Sequence, residues 1–218
     1  MDRVLVLVEG VTEEVFVRTV LAPHLLDHGK VAIATIVVTK RVKRGPNFKG
    51  GVTSYNQVKR DLRLLLQDSN VRMVTTMLDL YGLPQDFPGC ATAPERPVPA
   101  RVAHIQSAFA AEVGDTRFVP YLSVHEFEAL LFAEPVSAEW VYEDANVVLN
   151  LERVRSEFGG NPETINDRPE TAPSKRVGAA FPRYEKALHG PLATAAAGIA
   201  TLRAACPHFD AWVRALEG

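Results

Sequence analysis

The sequence contains few of the features that mark secreted, membrane-embedded or disulfide-linked proteins. Its 218 residues include only two cysteines, Cys90 and Cys206, too few for a disulfide framework or a cysteine-based zinc site. No apolar run approaches the roughly 20 residues that a membrane-spanning helix needs. The opening segment, MDRVLVLVEG, lacks the basic region and small-residue cleavage site of a secretory signal. We therefore expect a cytoplasmic protein with no membrane partner.

The chain also lacks an excess of positive charge. It has 24 basic and 26 acidic residues, for a net charge of -2, so any surface that binds nucleic acid must be local. There is no internal repeat and no G-x-x-x-x-G-K-[ST] phosphate-binding loop, so any control by nucleotide hydrolysis would need a partner. The sequence leaves the oligomeric state open.

Apolar runs alternate with helical patterns in the first 140 residues. Short, β-branched runs predict strands at 4–8, 31–39, 71–78 and 117–124. Helices are predicted from Thr12, from a cap at Thr53 or Ser54, and over 100–113 and 125–132. Pro120 makes the fourth strand an edge or bulged one, and five prolines make 82–99 a loop. Such alternation predicts an α/β fold, with a mainly parallel sheet and helices on both faces.

The pattern changes after about residue 140. Helices are predicted over 146–158, 175–188, 191–204 and 207–217, separated by a loop at 161–173. We therefore divide the chain into a core at 1–140 and a C-terminal helical extension at 141–218 that packs on the core.

Three predicted strands end in acidic residues. Glu9 follows the first strand, Asp79 the third and Glu126 the fourth. The carboxyl ends of parallel strands lie at one edge of a sheet, where ligands bind in open α/β folds. Clustered carboxylates repel each other, and a divalent cation relieves that repulsion. Because the cluster has only oxygen ligands, it favours Mg²⁺ or Mn²⁺ over zinc.

The pattern V-E-G-x-T-E from Val8 to Glu13 resembles the opening motif of Toprim domains, especially those of OLD-type nucleases. Asp79-Leu80-Tyr81-Gly82-Leu83-Pro84 and the stretch HEFEALLF at 125–132 are similar to motifs of a Toprim-like bacterial family of unknown function. That family is often encoded beside an AAA- or ABC-type ATPase, as phage-defence pairs are. The resemblance implies a Toprim, Rossmann-like core that binds metal, and an ATPase partner.

Carried over by position, the resemblance implies roles for individual residues. Glu9 matches the first Toprim glutamate, a metal ligand and general acid/base, and Glu13 matches the second glutamate of OLD-type nucleases. Asp79 matches the first aspartate of the D-x-D pair. Tyr81 replaces the second one, and a phenol cannot take the place of a carboxylate ligand at neutral pH. Either Glu126, our preference, or Glu128 supplies the missing charge, or the site is degenerate.

Basic residues provide candidates for contacts with substrate. Lys175 resembles the lysine that stabilises phosphate charge in OLD-type sites, although it could equally be a surface lysine at a helix start. The segment after the second strand is a basic loop on the same sheet edge as the acids, and it would suit a phosphodiester backbone or simply be solvated. The candidate substrate-binding residues are Lys40, Arg41, Lys43, Arg44, Lys49 and Arg176.

These features predict a Mg²⁺- or Mn²⁺-dependent phosphodiesterase, specifically a nuclease that is the effector of an ATPase-associated phage-defence system. The alternative is a catalytically weak Toprim-like module that regulates a partner ATPase or is regulated by it, a hypothesis that Tyr81 favours. A phosphatase or phosphotransferase is disfavoured, because such enzymes usually carry an aspartate nucleophile where this chain has Glu9. The choice between DNA and RNA stays open.

Overall fold

A computed structural model of the chain describes residues 1–40, 48–49, 51–166 and 169–218, with the backbone alone described at 39–40, 48–49 and 169. Its centre is a parallel sheet. Strand β1 (Asp2–Val8) lies between β2 (Lys30–Ile36) and β5 (Val71–Asp79), and β5 also pairs with β6 (Phe118–Val119) and β7 (Leu122–Ser123). A separate antiparallel ribbon joins β3 (Val38–Lys40) to β4 (Phe48–Lys49). The α/β prediction with a mainly parallel sheet is confirmed.

Alternate residues of β1 face two different cores. Val4, Val6 and Val8 pack into one cluster of buried residues, whereas Leu5 and Leu7 pack into another. This alternation follows from the two-residue period of a strand, and it makes β1 buried on both faces. Helices therefore cover both faces of the sheet, as predicted.

The helices have the following bounds. They are α1 (Val11–Phe16), α2 (Ala22–Asp27), α3 (Tyr55–Leu66), α4 (Val98–Val113), α5 (Glu139–Tyr142), α6 (Ala145–Glu157), α7 (Pro173–Ala180), α8 (Lys186–Ala205) and α9 (Pro207–Glu217). A π-helical turn, Val17–Leu21, joins α1 to α2. Short 3-10 turns occupy Phe127–Phe132, Pro135–Ala138, Pro162–Thr164 and Pro169–Thr171.

Two predicted elements at the sheet edge are interrupted. The fourth strand, predicted over 117–124, is two short strands, β6 and β7, with Pro120 between them, because proline cannot donate to a strand ladder. The second strand, predicted over 31–39, is divided at Val37 into β2 and β3. Val37 donates its N–H to the Val8 carbonyl (3.0 Å), so β3 leaves the main sheet after that bond.

Helix boundaries also differ from the predictions. Gly10 rather than Thr12 precedes α1, and Thr12 lies inside the helix. The α-helix predicted over 125–132 is instead a 3-10 helix, and it spans Phe127–Phe132. The helix predicted over 175–188 is broken, since α7 ends at Ala180 and α8 begins at Lys186. Phe181, which follows α7, is followed in turn by Pro182, and the residue before a proline is biased away from helical geometry.

The C-terminal helices contribute to the same core as the first helix. Phe209 of α9 packs edge-on against Phe16 of α1, and the indole Nε1 of Trp212 donates to Thr75 Oγ1 on β5 (2.8 Å). The α-helical segment after residue 140 therefore packs on the sheet, whereas the division at residue 140 into two units stays a prediction. None of the helices in the described ranges is long and apolar enough to cross a membrane.

Gly190 lets α8 approach α1 closely. A β-carbon at this position would lie 3.2 Å from Phe127 Cε1 and from Tyr184 Oη, and 3.3 Å from Thr12 Cγ2. We expect Gly190→Ala to lower the free energy of unfolding by about 1–3 kcal/mol, the usual effect of overpacking a core. Urea unfolding followed by circular dichroism measures it.

Gly178 in α7 provides the matched control for Gly190. A β-carbon there would meet no atom within 4 Å. Gly178→Ala should therefore raise stability by about 0.5–1 kcal/mol through helix propensity alone. If both alanine variants changed stability in the same direction, the close approach of α8 to α1 would not be the cause.

Candidate active site

Glu9 and Asp79 are brought together by neighbouring parallel strands. Glu9 follows the last residue of β1 and Asp79 ends β5. The Asp79 backbone N–H donates to Glu9 Oε2 (3.0 Å), so the first carboxylate is held against the end of the next strand. A β-carbon on Gly82 would lie 3.2 Å from Glu9 Oε1, which shows how tightly the turn after β5 covers Glu9. The two acids predicted to converge therefore lie side by side.

Glu13 joins these acids from the first turn of α1. Its Oε2 accepts the Gly10 N–H (2.8 Å), half of the arrangement that caps a helix start. Its side chain is only 3% exposed, which is unusual for an acid whose sole task is capping. Glu13 is thus both a local cap and a buried charge beside Glu9.

Glu128 is the fourth acid of the cluster, and it contacts a lysine, Lys186, that the sequence patterns did not predict. Its side chain is fully buried, and its Oε2 lies 3.2 Å from Lys186 Nζ at the start of α8. The same ammonium group lies 3.5 Å from Asp79 Oδ2. Tyr184 Oη donates a long hydrogen bond to Glu128 Oε1 (3.4 Å). Lys186 therefore connects the end of β5 with the 3-10 helix that carries Glu128.

A sharp turn directs Glu128 inward. His125 has a φ of 65°, in the left-handed region that few residues other than glycine adopt. Glu126 is then extended, and Phe127 begins the 3-10 helix by donating its N–H to Asp79 Oδ1 (2.8 Å). Asp79 thus fixes the start of the element from which Glu128 enters the cluster.

Glu126, the preferred replacement for the second aspartate, has a different partner. Its Oε2 accepts the Ser174 N–H at the start of α7 (2.9 Å), and its side chain is only partly buried. It still raises the pKa values of Glu9 and Glu128 through its charge. The geometry thus favours Glu128 over Glu126 as the fourth member of the cluster, while metal ligation by either residue stays a prediction.

The four acids of the cluster, of which Glu9 is the least buried, hold their protons more tightly than ordinary carboxyl groups do. Burial raises the pKa values of Glu9, Glu13, Asp79 and Glu128, and the charges of neighbouring carboxylates raise them further, whereas Lys186 opposes the rise. Burial alone would lower the pKa of Lys186, but the charges of Asp79, Glu128 and Glu13 outweigh it, and that pKa is raised. Clusters of carboxyl groups with shifted pKa values are typical of functional sites, although structural ion pairs also cause them.

The carboxylate oxygens of the four acids lie around Lys186 and do not converge on a single point. Within the described ranges, only His24, His28 and Glu217 place three metal-binding atoms within 4.8 Å of one another. That group lies elsewhere, at the amino-end edge of the sheet, where Lys30 begins β2 and donates to the Glu217 carbonyl. Arg203 also donates to both carboxylate oxygens of Glu217. The group of His24, His28 and Glu217 is therefore explained by the contacts that fix the C-terminal helix α9.

A cleft of about 1500 Å³ lies beside the acid cluster and shares a wall with it. The wall consists of Tyr81, which follows the β5 turn, and His125, which precedes Glu126. Tyr81 N–H donates to the His125 carbonyl (3.0 Å). The Asn166 amide donates to Tyr81 Oη and to His125 Nδ1 (3.1 Å). Burial lowers the pKa of His125 to about 4, against the opposing effects of Glu126 and the Glu163 backbone. The buried acids are not among the residues that line this cleft.

The predicted basic residues are only partly described. Arg41, Lys43 and Arg44 lie outside the described residues, as do the side chains of Lys40 and Lys49, whose backbones belong to β3 and β4. Lys175 follows Ser174 on α7 and has an exposed side chain. Arg176 donates to the Thr171 carbonyl (2.8 Å) and lies over the Phe158 ring. The roles predicted for these residues stay predictions.

Lys186 and Tyr184 had a weak sequence signal. Both lie in a segment rich in ordinary helix-forming residues, and Lys186 is 107 positions from Asp79. A lysine that begins a helix resembles a surface residue, and its side chain is indeed 45% exposed. Only the packing of α8 against α1 brings it to the acids.

These features define a parallel α/β protein with four carboxylates, three of them fully or almost fully buried, and one lysine at the carboxyl edge of its sheet. By sequence, the chain belongs to the DUF4276 family, described as a domain of unknown function, whose model matches residues 8–217. No curated protein and no solved structure matches the chain.

Proposed function

We propose that this protein is a Mg²⁺- or Mn²⁺-dependent phosphodiesterase that cleaves nucleic acid. The observation that carries the proposal is the fully buried carboxylate of Glu128, which shares one ammonium group with Asp79 beside Glu9 and Glu13. When all four acids are ionised, they leave excess negative charge beside one lysine, and a largely buried site does not tolerate that charge without a further cation.

The donor set suits a hard divalent cation. All four groups are carboxylates, which Mg²⁺ and Mn²⁺ prefer, and the fully buried Glu128 Oε2 has the Lys186 ammonium group, 3.2 Å away, as its cationic partner. Glu9, Glu13, Asp79 and Glu128 would hold the metal. A metal so bound supplies Lewis-acid chemistry and lowers the pKa of bound water.

The remaining groups around the cluster would act on the phosphate. The Lys186 ammonium group would stabilise charge on phosphate oxygens, as cationic clamps do in phosphoryl transfer. Its partly exposed side chain can leave the carboxylates without any change in the backbone. Asp79 would also position Glu128, because it holds the first N–H of the 3-10 helix.

One observation favours a second candidate, a catalytically weak module bound to an ATPase. Tyr81 takes the place of the second aspartate and hydrogen-bonds to Asn166, while Lys186 already neutralises part of the acid cluster. In this alternative, the cluster would stabilise the fold or an interface. The ATPase partner and the role in phage defence rest on the resemblance of the motifs and are part of the proposal.

Incubation with a panel of single- and double-stranded DNA and RNA, with Mg²⁺ or Mn²⁺, tests the proposal. We expect wild type to cut at least one substrate and Asp79→Asn to cut none, because Asp79 contacts both the 3-10 helix and Lys186. Glu14→Gln is the matched control, since Glu14 lies on the same helical turn as Glu13 but is not among the main causes of the pKa shifts in the cluster. Absence of cleavage, with and without an ATPase partner, would favour the interaction module.

A further inference from the structure

The cleft beside the acids is built to receive something larger than a metabolite. Its volume of about 1500 Å³ exceeds the roughly 300–1,000 Å³ typical of small-molecule sites. Its walls combine the rings of Tyr81 and Phe158 with apolar side chains such as Leu83 and Val102. Tyr81 is 45% exposed, so one face of its ring is available to a ligand.

A polar group in the same wall lacks a partner. Both amide hydrogens of Asn166 are used, one on Tyr81 Oη and one on His125 Nδ1. Its Oδ1 is buried and accepts no hydrogen bond. Since His125 Nδ1 accepts, Nε2 carries the hydrogen, and an interaction with the Glu163 backbone opposes the lowering of the pKa of the ring. The wall therefore holds one acceptor without a partner.

Charged side chains of both signs line the cleft. Arg96 and Arg101 line it together with Glu95 and Glu163. Both carboxylate oxygens of Glu163 accept the N–H groups of His208 and Phe209 at the start of α9 (2.9 Å each). Glu163 is thus engaged by α9, and the two arginines provide cationic groups in the same lining.

We propose that this cleft binds a base of a single-stranded nucleic acid, with the base stacked on Tyr81. An aromatic platform, a hydrogen-bond acceptor without a partner, and nearby arginines are elements by which proteins hold unpaired bases. The cleft volume favours a strand over a free mononucleotide. Tyr81 lies one residue from Gly82, which touches Glu9, so a strand in the cleft would pass the acid cluster. This part of the inference rests on the proposed phosphodiesterase function.

Binding to fluorescein-labelled single-stranded DNA and RNA, measured by anisotropy in EDTA, tests the inference without requiring cleavage. We expect Tyr81→Ala to weaken binding about 5- to 100-fold, the usual effect of removing one stacking platform. Tyr81→Phe should retain most of the affinity, because it keeps the ring. Strands with 5-iodouracil should crosslink under ultraviolet light to Tyr81, identified by mass spectrometry. Adenosine and uridine monophosphates, used as competitors, should bind more weakly than the strands.

A pair of substitutions on α4 controls for changes in folding. Ala103 lines the cleft and is exposed, so Ala103→Trp should fill the cleft and weaken binding, whereas Ala111→Trp adds the same side chain to an exposed position outside the cleft. Absence of binding by wild type, or equal binding by wild type, Tyr81→Ala and Ala103→Trp, would overturn the inference. Binding that depends on Tyr81 but is never followed by cleavage would refute the phosphodiesterase and leave the base site standing. Cleavage by wild type together with binding that does not depend on Tyr81 would refute the base site and leave the phosphodiesterase standing.

Discussion

Glu9→Gln is expected to abolish cleavage of nucleic acid while leaving the fold intact. Glutamine keeps the shape of the side chain and can still accept the Asp79 N–H that now binds Glu9 Oε2 (3.0 Å). It removes the carboxylate that this hydrogen bond holds against the end of β5. Loss of an outer partner of a metal ligand typically reduces affinity or activity about 10–100-fold, so loss of a ligand should reduce cleavage by more than about 100-fold. Initial rates under saturating Mn²⁺ measure the effect.

Stability should change in the opposite direction, and the sign follows from the raised pKa of Glu9. A carboxyl group whose pKa is higher in the folded protein stabilises the fold below its ordinary pKa, and this contribution is lost as the pH rises through the folded value. At pH 8 the charged Glu9 therefore works against folding of the metal-free protein. A change of about 1 kcal/mol in stability shifts Tm by about 2–4 °C in a chain of this size. We expect metal-free Glu9→Gln to melt about 2–4 °C above wild type at pH 8.

The difference in Tm between Glu9→Gln and wild type should shrink towards pH 4, where Glu9 is largely protonated in both the folded and the unfolded protein. Taking the difference also removes the contributions of His125 and His208, whose lowered pKa values make the fold less stable as the pH falls. Scanning calorimetry in EDTA between pH 4 and pH 8 measures it, with Glu14→Gln as the control that should show no such trend. If Glu9→Gln melted below wild type at pH 8, the charged form of Glu9 would be stabilised by its surroundings, and the predicted repulsion within the metal-free cluster would be wrong.

The local pattern of the chain was sufficient to predict the sheet. In β1, five apolar residues run continuously from Val4 to Val8 because both faces are buried, and the predicted strands end beside the acids Glu9 and Asp79. Ser54 was one of two predicted caps, and α3 begins directly after it. These features depend on neighbours in sequence, so periodicity and capping rules apply to them directly. The proximity of Glu9 and Asp79 then follows from parallel topology alone.

The part of the site that the sequence did not predict depends on tertiary contacts. An α-helix at 125–132 would have turned Glu128 away from Glu126 and the strand ends, whereas the left-handed His125 and the hydrogen bond from Phe127 to Asp79 produce a 3-10 helix that buries Glu128. Lys186 reaches the acids because the break after Ala180 reorients the chain before α8 begins. Neither effect has a signature within a few residues of the position it determines.

Replacing Lys186 by methionine should separate metal binding from catalysis. Methionine keeps a long apolar stem but removes the charge that lies 3.2 Å from Glu128 and 3.5 Å from Asp79. Like charges about 4 Å apart repel by roughly 1 kcal/mol even in bulk water. A divalent cation should therefore bind Lys186→Met at least about fivefold more tightly than wild type. Isothermal titration calorimetry with Mn²⁺ measures this gain.

Cleavage by Lys186→Met should fall although the metal binds more tightly, because the group that would stabilise phosphate charge is gone. Loss of one such donor typically lowers kcat by about 10²–10³-fold. Lys186→Arg should restore part of the rate, since it keeps the positive charge. Lys175→Ala discriminates between the two lysines, because the resemblance of the motifs assigns the phosphate role to Lys175 and the geometry assigns it to Lys186. Loss of cleavage in Lys175→Ala with full cleavage by Lys186→Met would contradict this prediction. Lys186 would then be only a counter-ion that allows Glu128 to be buried. In that case Lys186→Met would lower Tm but would leave the cleavage rate at saturating metal unchanged.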